Sequence, residues 1–180
     1  VRYLQRAGTA GILIAVFYGA YFSVVATFSA LSVGGAPLTG IGKLVGALVF
    51  GWALVFIYYT KSELLTSNMM VASIGAYYMR VKWPRAVRML GLCYLGNILG
   101  GLLVAVLMVF STLGSGPALA EMEHAVAVKL GYLTAGPLGW SDLLVRAILC
   151  NLMINVAMLL VYNGFIKEDL TKSLAMITAV

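Results

Sequence analysis

No charged residue occurs from Ala7 to Gly42, and apolar side chains dominate that run. Further apolar runs cover Leu44–Tyr59, Met69–Met79, about Arg85–Thr112 and about Asp142–Tyr162. A helix needs roughly 20 residues to cross the bilayer core. The first run predicts a helix over about Ala7–Val33, closed by the breakers Gly34-Gly35-Ala36-Pro37. Leu44–Tyr59 and Met69–Met79 are each too short to span, and joined they are too long. Between them lies Thr60-Lys61-Ser62-Glu63-Leu64-Leu65-Thr66-Ser67-Asn68, a polar stretch with two charges. The pattern therefore predicts one span broken in its middle by a polar loop. Irregular backbone at that depth is tolerated only where protein buries it or where it lines a water-filled cavity. An ionisable residue at such a break points to a transport path.

The remaining pattern is simpler. A third span is predicted over about Arg85–Thr112 and a fourth over about Asp142–Tyr162. Leu113–Trp140 is a link punctuated by Gly and Pro. Within it Ala118–Leu130 predicts a short interfacial helix with Glu121 and Glu123 in its first turn. Lys167–Lys172 is a polar turn, and a fresh apolar run starts at Ser173. That run stops at Val180, too short to span, so the chain is expected to end within a fifth span.

Composition agrees with this reading: 62% of residues are hydrophobic and only 10% charged, against about 25% charged in a soluble domain. One membrane domain, 1–180, is expected, with room for roughly five spans. The net charge of +6 is no nucleic-acid footprint, because Lys and Arg sit between apolar runs as topology signals do. Arg2, Arg6, Arg80, Lys82, Arg85, Arg88, Lys167 and Lys172 fall in one set of loops. Lys43, Lys129 and Arg146 fall on the opposite side. A cytoplasmic N-terminus follows, with the Leu113–Trp140 link outside. Cys93 and Cys150 both lie in apolar runs and read as buried, reduced side chains. A single His and the lack of metal-binding motifs leave no metal or cofactor to expect. Asn97 stands mid-membrane inside a GxxxG, where its amide must find either a neighbouring helix or a pore.

Three motifs carry a family resemblance. Ser62-Glu63-Leu64-Leu65-Thr66-Ser67-Asn68 resembles the Glu-Leu-Phe-Thr-x-Asn signature of the formate/nitrite transporter family. Gly96-Asn97-Ile98-Leu99-Gly100 is similar to that family's Gly-Asn-x-x-Gly. Arg146-Ala147-Ile148-Leu149-Cys150-Asn151 is similar to its Arg-Gly-Ile-Leu-Cys-Asn. The resemblance implies an all-α, aquaporin-like bundle of two inverted three-span repeats with broken second and fifth spans. The first repeat would cover about 1–112 and the second would start near 141. It also implies a homopentamer in the cell membrane, one pore per protomer, carrying small monovalent weak-acid anions: formate, then nitrite, with hydrosulfide as an alternative. On the same grounds Phe50, Leu54, Leu64 and Leu65 are expected at pore constrictions. Thr66, Asn151, Lys129 and Asn97 are expected along the polar path, and Glu63 and Asn68 as braces of the loop.

The chain departs from the family pattern at several points. Leu65 stands where the family usually has Phe, and Lys61 where it usually has Gly. The family's central pore His would fall beyond Val180. His124 lies in the link and reads as a surface side chain. A water or neutral-solute channel of the aquaporin type would need Asn-Pro-Ala loops, and no Asn-Pro pair occurs. A membrane enzyme would need convergent catalytic groups, and only Glu63 is deep enough.

Overall fold

The computed structural model describes residues 2–180. The chain is helical almost throughout. Helix α1 is Arg2–Ser29, α2 Thr39–Tyr59, α3 Leu65–Tyr77 and α4 Trp83–Val109. Then follow α5 Pro117–Thr134, α6 Gly136–Tyr162 and α7 Asp169–Thr178. A single 3-10 turn, Thr112–Gly114, precedes α5. Helices α1, α2, α4 and α6 are long and apolar enough to cross a membrane.

Several boundaries differ from the sequence pattern. Helix α1 begins before Ala7 and takes in Arg2 and Arg6, because long basic side chains tolerate a membrane-edge helix by reaching toward the surface. It also ends at Ser29 rather than Val33. The residues after it pair instead as a two-stranded hairpin, β1 Ser32–Val33 with β2 Ala36–Pro37. Gly34 and Gly35 both take positive φ, +60° and +83°, as a tight hairpin turn demands. Helix α2 is 21 residues long, about 31 Å at the helical rise, so the first half of the broken span crosses the bilayer by itself. Only α3, at 13 residues, is a half-span. Helix α6 starts inside the predicted link, where Gly136 (φ +71°) turns the chain and Pro137 opens the helix. Helix α5 starts at Pro117, so Glu121 and Glu123 lie past its first turn. Cys93 is buried as expected, but Cys150 is exposed. At the start of α7, the Lys172 ammonium donates to Asp169 at 2.8 Å and holds that carboxyl below its usual range.

Helix α1 is the centre of the bundle, packed chiefly on α4 and α2. Small residues bring α1 and α4 into backbone contact. A Cβ on Gly11 would run into the backbone of Asn97, and one on Gly100 into the carbonyl of Gly8. Helix α7 lies on α2 with equal intimacy, since a Cβ on Gly51 would stand 2.6 Å from the Ile177 carbonyl oxygen. A compact apolar cluster of Leu54, Val55, Met158 and Met176 joins α2, α6 and α7.

Candidate functional site

The chain is interrupted between α2 and α3 only over Thr60–Leu64. Thr66, Ser67 and Asn68, expected in a loop, form the first turn of α3 with Leu65. The break is held by side chains from two neighbouring helices. Asn97 of α4 places its Oδ1 3.0 Å from the Leu65 N–H and so caps α3 from outside. Its Nδ2 donates to the carbonyls of Ala7, at 2.8 Å, and Glu63, at 2.9 Å. One amide thereby ties α1, the break, α3 and α4 together.

Glu63 is the second fixed point. Its N–H donates to the Arg6 carbonyl at 3.2 Å, and its Oε1 lies 3.6 Å from the Arg6 guanidinium. Asn68 Nδ2 donates to Glu63 Oε2 at 3.0 Å and lies 3.1 Å from the Tyr3 hydroxyl. The Cys93 thiol donates to the Glu63 carbonyl at 3.3 Å. Arg6 Nε also donates to the Lys61 carbonyl at 2.8 Å. Lys61 has φ +54°, a left-handed conformation that disfavours any residue with a Cβ. That is the physical reason a Gly suits this position. By contrast, the hydroxyls of Thr66 and Ser67 are buried without a partner.

Two cavities lie at opposite ends of the same three helices. One, of about 480 Å³, is lined by Arg6 of α1, by Tyr58 and Tyr59 of α2 and by Met158 and Tyr162 of α6, together with Glu63, Leu64, Ser67 and Asn68. The other, of about 620 Å³, is lined by Tyr18 and Tyr21 of α1, Lys43 of α2, Lys129 of α5 and Arg146 and Asn151 of α6. Lys43 and Tyr58 stand about 22 Å apart along α2 at the helical rise. Phe50 and Leu54 occupy the turns between them. Phe50 packs on Tyr18 with ring centroids 5.4 Å apart. Leu54, 3% exposed, packs in the apolar cluster against which Leu64 also rests. Along α2, apolar residues thus lie between the turns that reach the two cavities.

Comparison with known proteins gives the family. The formate/nitrite transporter family model matches residues 1–180. The chain belongs to the formate/nitrite transporter family. Among curated proteins it is similar to the "Formate channel FocA" of Haemophilus influenzae, at 31% identity over 170 residues. That match covers 89% of this chain and 53% of the relative. The chain therefore spans about half the length of the curated relative it matches. As a family member with four helices long and apolar enough to span, it is a multi-pass membrane protein.

Most of the residues expected at the site fall into two groups in this family member. Glu63, Leu64, Leu65, Thr66, Asn68 and Asn97 gather at the break, where Asn97 directs all three of its hydrogen bonds to backbone groups. Lys129 and Asn151, far apart in sequence, line one cavity. The Lys129 ammonium sits 3.4 Å from the Tyr18 hydroxyl and 5.7 Å from that ring's centroid. Asn151 donates to the Ala147 carbonyl within its own helix at 2.9 Å. The pattern of the sequence pointed to neither Arg6 nor Tyr3 as a brace of the break. Arg6 was legible only as a topology charge. His124, read as a surface side chain, lies on the wall of the Lys129 cavity.

Proposed function

We propose that α1, α2 and α6 line a path for small monovalent anions of weak acids, formate first, nitrite next and hydrosulfide as the alternative. The observation that supports this most directly is the pair of cation-bearing cavities at the two ends of these helices, with Phe50 and Leu54 on the turns of α2 between them. Cations concentrate anions at a mouth. An apolar constriction then penalises any bare charge that enters it. A weak acid resolves the conflict, because it can take up a proton and cross the constriction neutral. The hydroxyl of Thr66, buried without a partner in the first turn of α3, is the hydrogen-bond donor that this reading assigns to the crossing species. Proton coupling belongs to the same proposal. Leu65 takes part through its N–H, which receives the Asn97 cap, and not only through its side chain. Glu63, Asn68 and Asn97 act as braces of the break in this reading.

Further parts of the proposal rest on family membership. These are assembly as a homopentamer, inverted repeats with the first over about 1–112, and a cytoplasmic N-terminus in the cell membrane. The curated relative's name, a formate channel, supports formate as the leading substrate.

The test is stopped-flow entry of formate, nitrite and hydrosulfide into liposomes holding the full-length protein, at several pH values. Saturable flux of one of them is expected, rising as pH falls and reduced several-fold by Thr66→Val and by Lys129→Ala. Absence of flux for all three, with the oligomer intact, overturns the proposal.

A further inference from the structure

Four cations at the corner between α3 and α4 line neither of the two cavities. Arg80 and Lys82 stand in the turn, and Arg85 and Arg88 in the first two turns of α4. All four are exposed, and among the described residues no ion pair joins any of them. No Asp or Glu occurs from Leu64 to Ala120, so neither helix offers them a partner. A topology signal needs only that cations stay on one side of the membrane. These are also held in place. The N–H groups of Arg80 and Val81 both donate to the Gly75 carbonyl, at 2.9 and 3.2 Å. Ala72 and Ala76 of α3 bury against Ala86 of α4, so the turn and the start of α4 form one fixed corner.

Arg85 and Arg88 lie one turn apart on the same face of α4. That face continues at three- and four-residue steps through Leu92, Leu95, Leu99 and Leu102. Leu95, Leu99 and Leu102 are each more than half exposed, while Gly96 and Gly100 turn the other side of the helix onto α1. From Leu92 to Leu102 the stripe covers about 15 Å at the helical rise. That is half of the roughly 30 Å hydrocarbon core, the depth of one leaflet. Tyr77, Tyr78 and Trp83, exposed beside the cations, are aromatic types that settle at the membrane–water interface. From its end inward the corner presents cations and aromatic rings, then an apolar stripe. A phospholipid has its phosphate and acyl chain in the same order. An apolar stripe alone would suit a second copy of the chain equally well, and charge decides between them. At this end of the bundle Glu63 pairs with Arg6, Asp169 with Lys172, and Glu168 accepts from Thr171. Glu121, Glu123 and Asp142 belong to α5 and the start of α6, at the other end. A second copy therefore brings no unengaged carboxylate among the described residues to this level, whereas a lipid phosphate brings a full negative charge.

We propose that the α3–α4 corner is a binding site for an anionic phospholipid. Its phosphate lies among Arg80, Lys82, Arg85 and Arg88, and one acyl chain lies along the Leu92–Leu102 stripe. Each Lys or Arg near an anionic headgroup adds to the attraction, and the exposed leucines give the chain an apolar bed. Lipid held there joins the half-span α3 to the helix whose Asn97 caps it, and so steadies the broken span. The proposal does not rest on the channel reading.

The experiment titrates phosphatidylglycerol, and phosphatidylcholine with the same acyl chains, into the full-length protein in neutral detergent, and counts bound lipid by native mass spectrometry. Phosphatidylglycerol is expected to bind about 10-fold or more tightly than phosphatidylcholine. In Arg85→Gln/Arg88→Gln its affinity falls about 10-fold, and in Arg85→Lys/Arg88→Lys it stays within about 3-fold of the wild type, because charge is kept. Equal binding of the two lipids, or a Gln variant that binds like the wild type, overturns the proposal. So does release of the lipid by inorganic phosphate at equal concentration, which would make the corner a site for the free anion. A second arm places the photoreactive residue p-benzoylphenylalanine at Leu99, in a membrane containing phosphatidylglycerol. It leaves all four cations in place, so it decides the case even where the Gln variant fails to assemble. Cross-linking to lipid is expected, and it is lost when phosphatidylcholine replaces phosphatidylglycerol. Cross-linking to a second protein chain shows that protein covers the stripe and overturns the proposal.

Discussion

Lys61 is a residue in the wrong chemistry for its backbone. A side chain in the left-handed region costs about 1–2 kcal/mol, and here Arg6 clamps the Lys61 carbonyl so that the turn is kept. Lys61→Gly is expected to stabilise the protein by about 0.5–1 kcal/mol after Gly's own entropy cost, seen as a small rise in the thermal midpoint in detergent. An unchanged or lower midpoint counts against strain at the turn. Asn97 is the opposite case, a polar side chain in the membrane with every group answered. Asn97→Leu removes the cap of Leu65 and the amide donor to the carbonyls of Ala7 and Glu63, the second of which keeps only the Cys93 thiol. A loss of about 2–4 kcal/mol is expected, measurable by thermal unfolding, with flux falling alongside. The sequence showed that Asn97 needed a partner. It could not show which, because the partners are backbone groups of residues 7, 63 and 65, brought together only by packing.

At the scale of elements, the α1–α4 seam depends on missing side chains. Gly100 and Gly8 approach too closely for a Cβ, whereas nothing lies within 4 Å of a Cβ built on Gly91. Gly100→Ala is therefore expected to cost about 1–3 kcal/mol through overpacking. Gly91→Ala is expected to leave stability unchanged or raise it by up to about 1 kcal/mol through helix propensity. Chemical denaturation of the two variants side by side checks the contrast, and equal effects would contradict the seam. The stripe of small residues was legible in the sequence as a packing face. Its partner was not, since Gly and Ala patterns are common to many membrane helices. Element boundaries were also misread where helices continue into polar residues. Leu65–Asn68 looked like loop because hydroxyls and amides favour turns, yet a cap donated by another helix lets them start α3.

For the whole molecule, the proposed path puts apolar residues of α2 between two cavities that hold cations. Phe50 packs on Tyr18, and under the proposed path its removal enlarges the constriction. Phe50→Ala is expected to raise flux of a larger carboxylate such as lactate relative to formate by about 3-fold or more, since a pocket discriminates one or two methylene-sized groups by 1–3 kcal/mol. Competition fluxes in the same liposomes measure this ratio, and an unchanged ratio places the constriction elsewhere.

What the sequence determined by itself was the set of features that depend on local pattern. Uninterrupted apolar runs make membrane helices because the bilayer cannot satisfy a bare backbone, and a polar stretch within one such region marks a break. The motifs around Glu63, Asn97 and Asn151 were equally readable, and with them the family. The tertiary structure alone decided which groups meet. It set Arg6 and Asn97 on the break, joined Lys129 to Asn151 across one cavity, and turned His124 from a link residue into part of that cavity's wall. The physical reason is one of range. Helix formation and membrane burial are read within a few turns of chain. Hydrogen-bond satisfaction here depends on residues 32, 90 and 111 positions apart, placed together only when the helices pack.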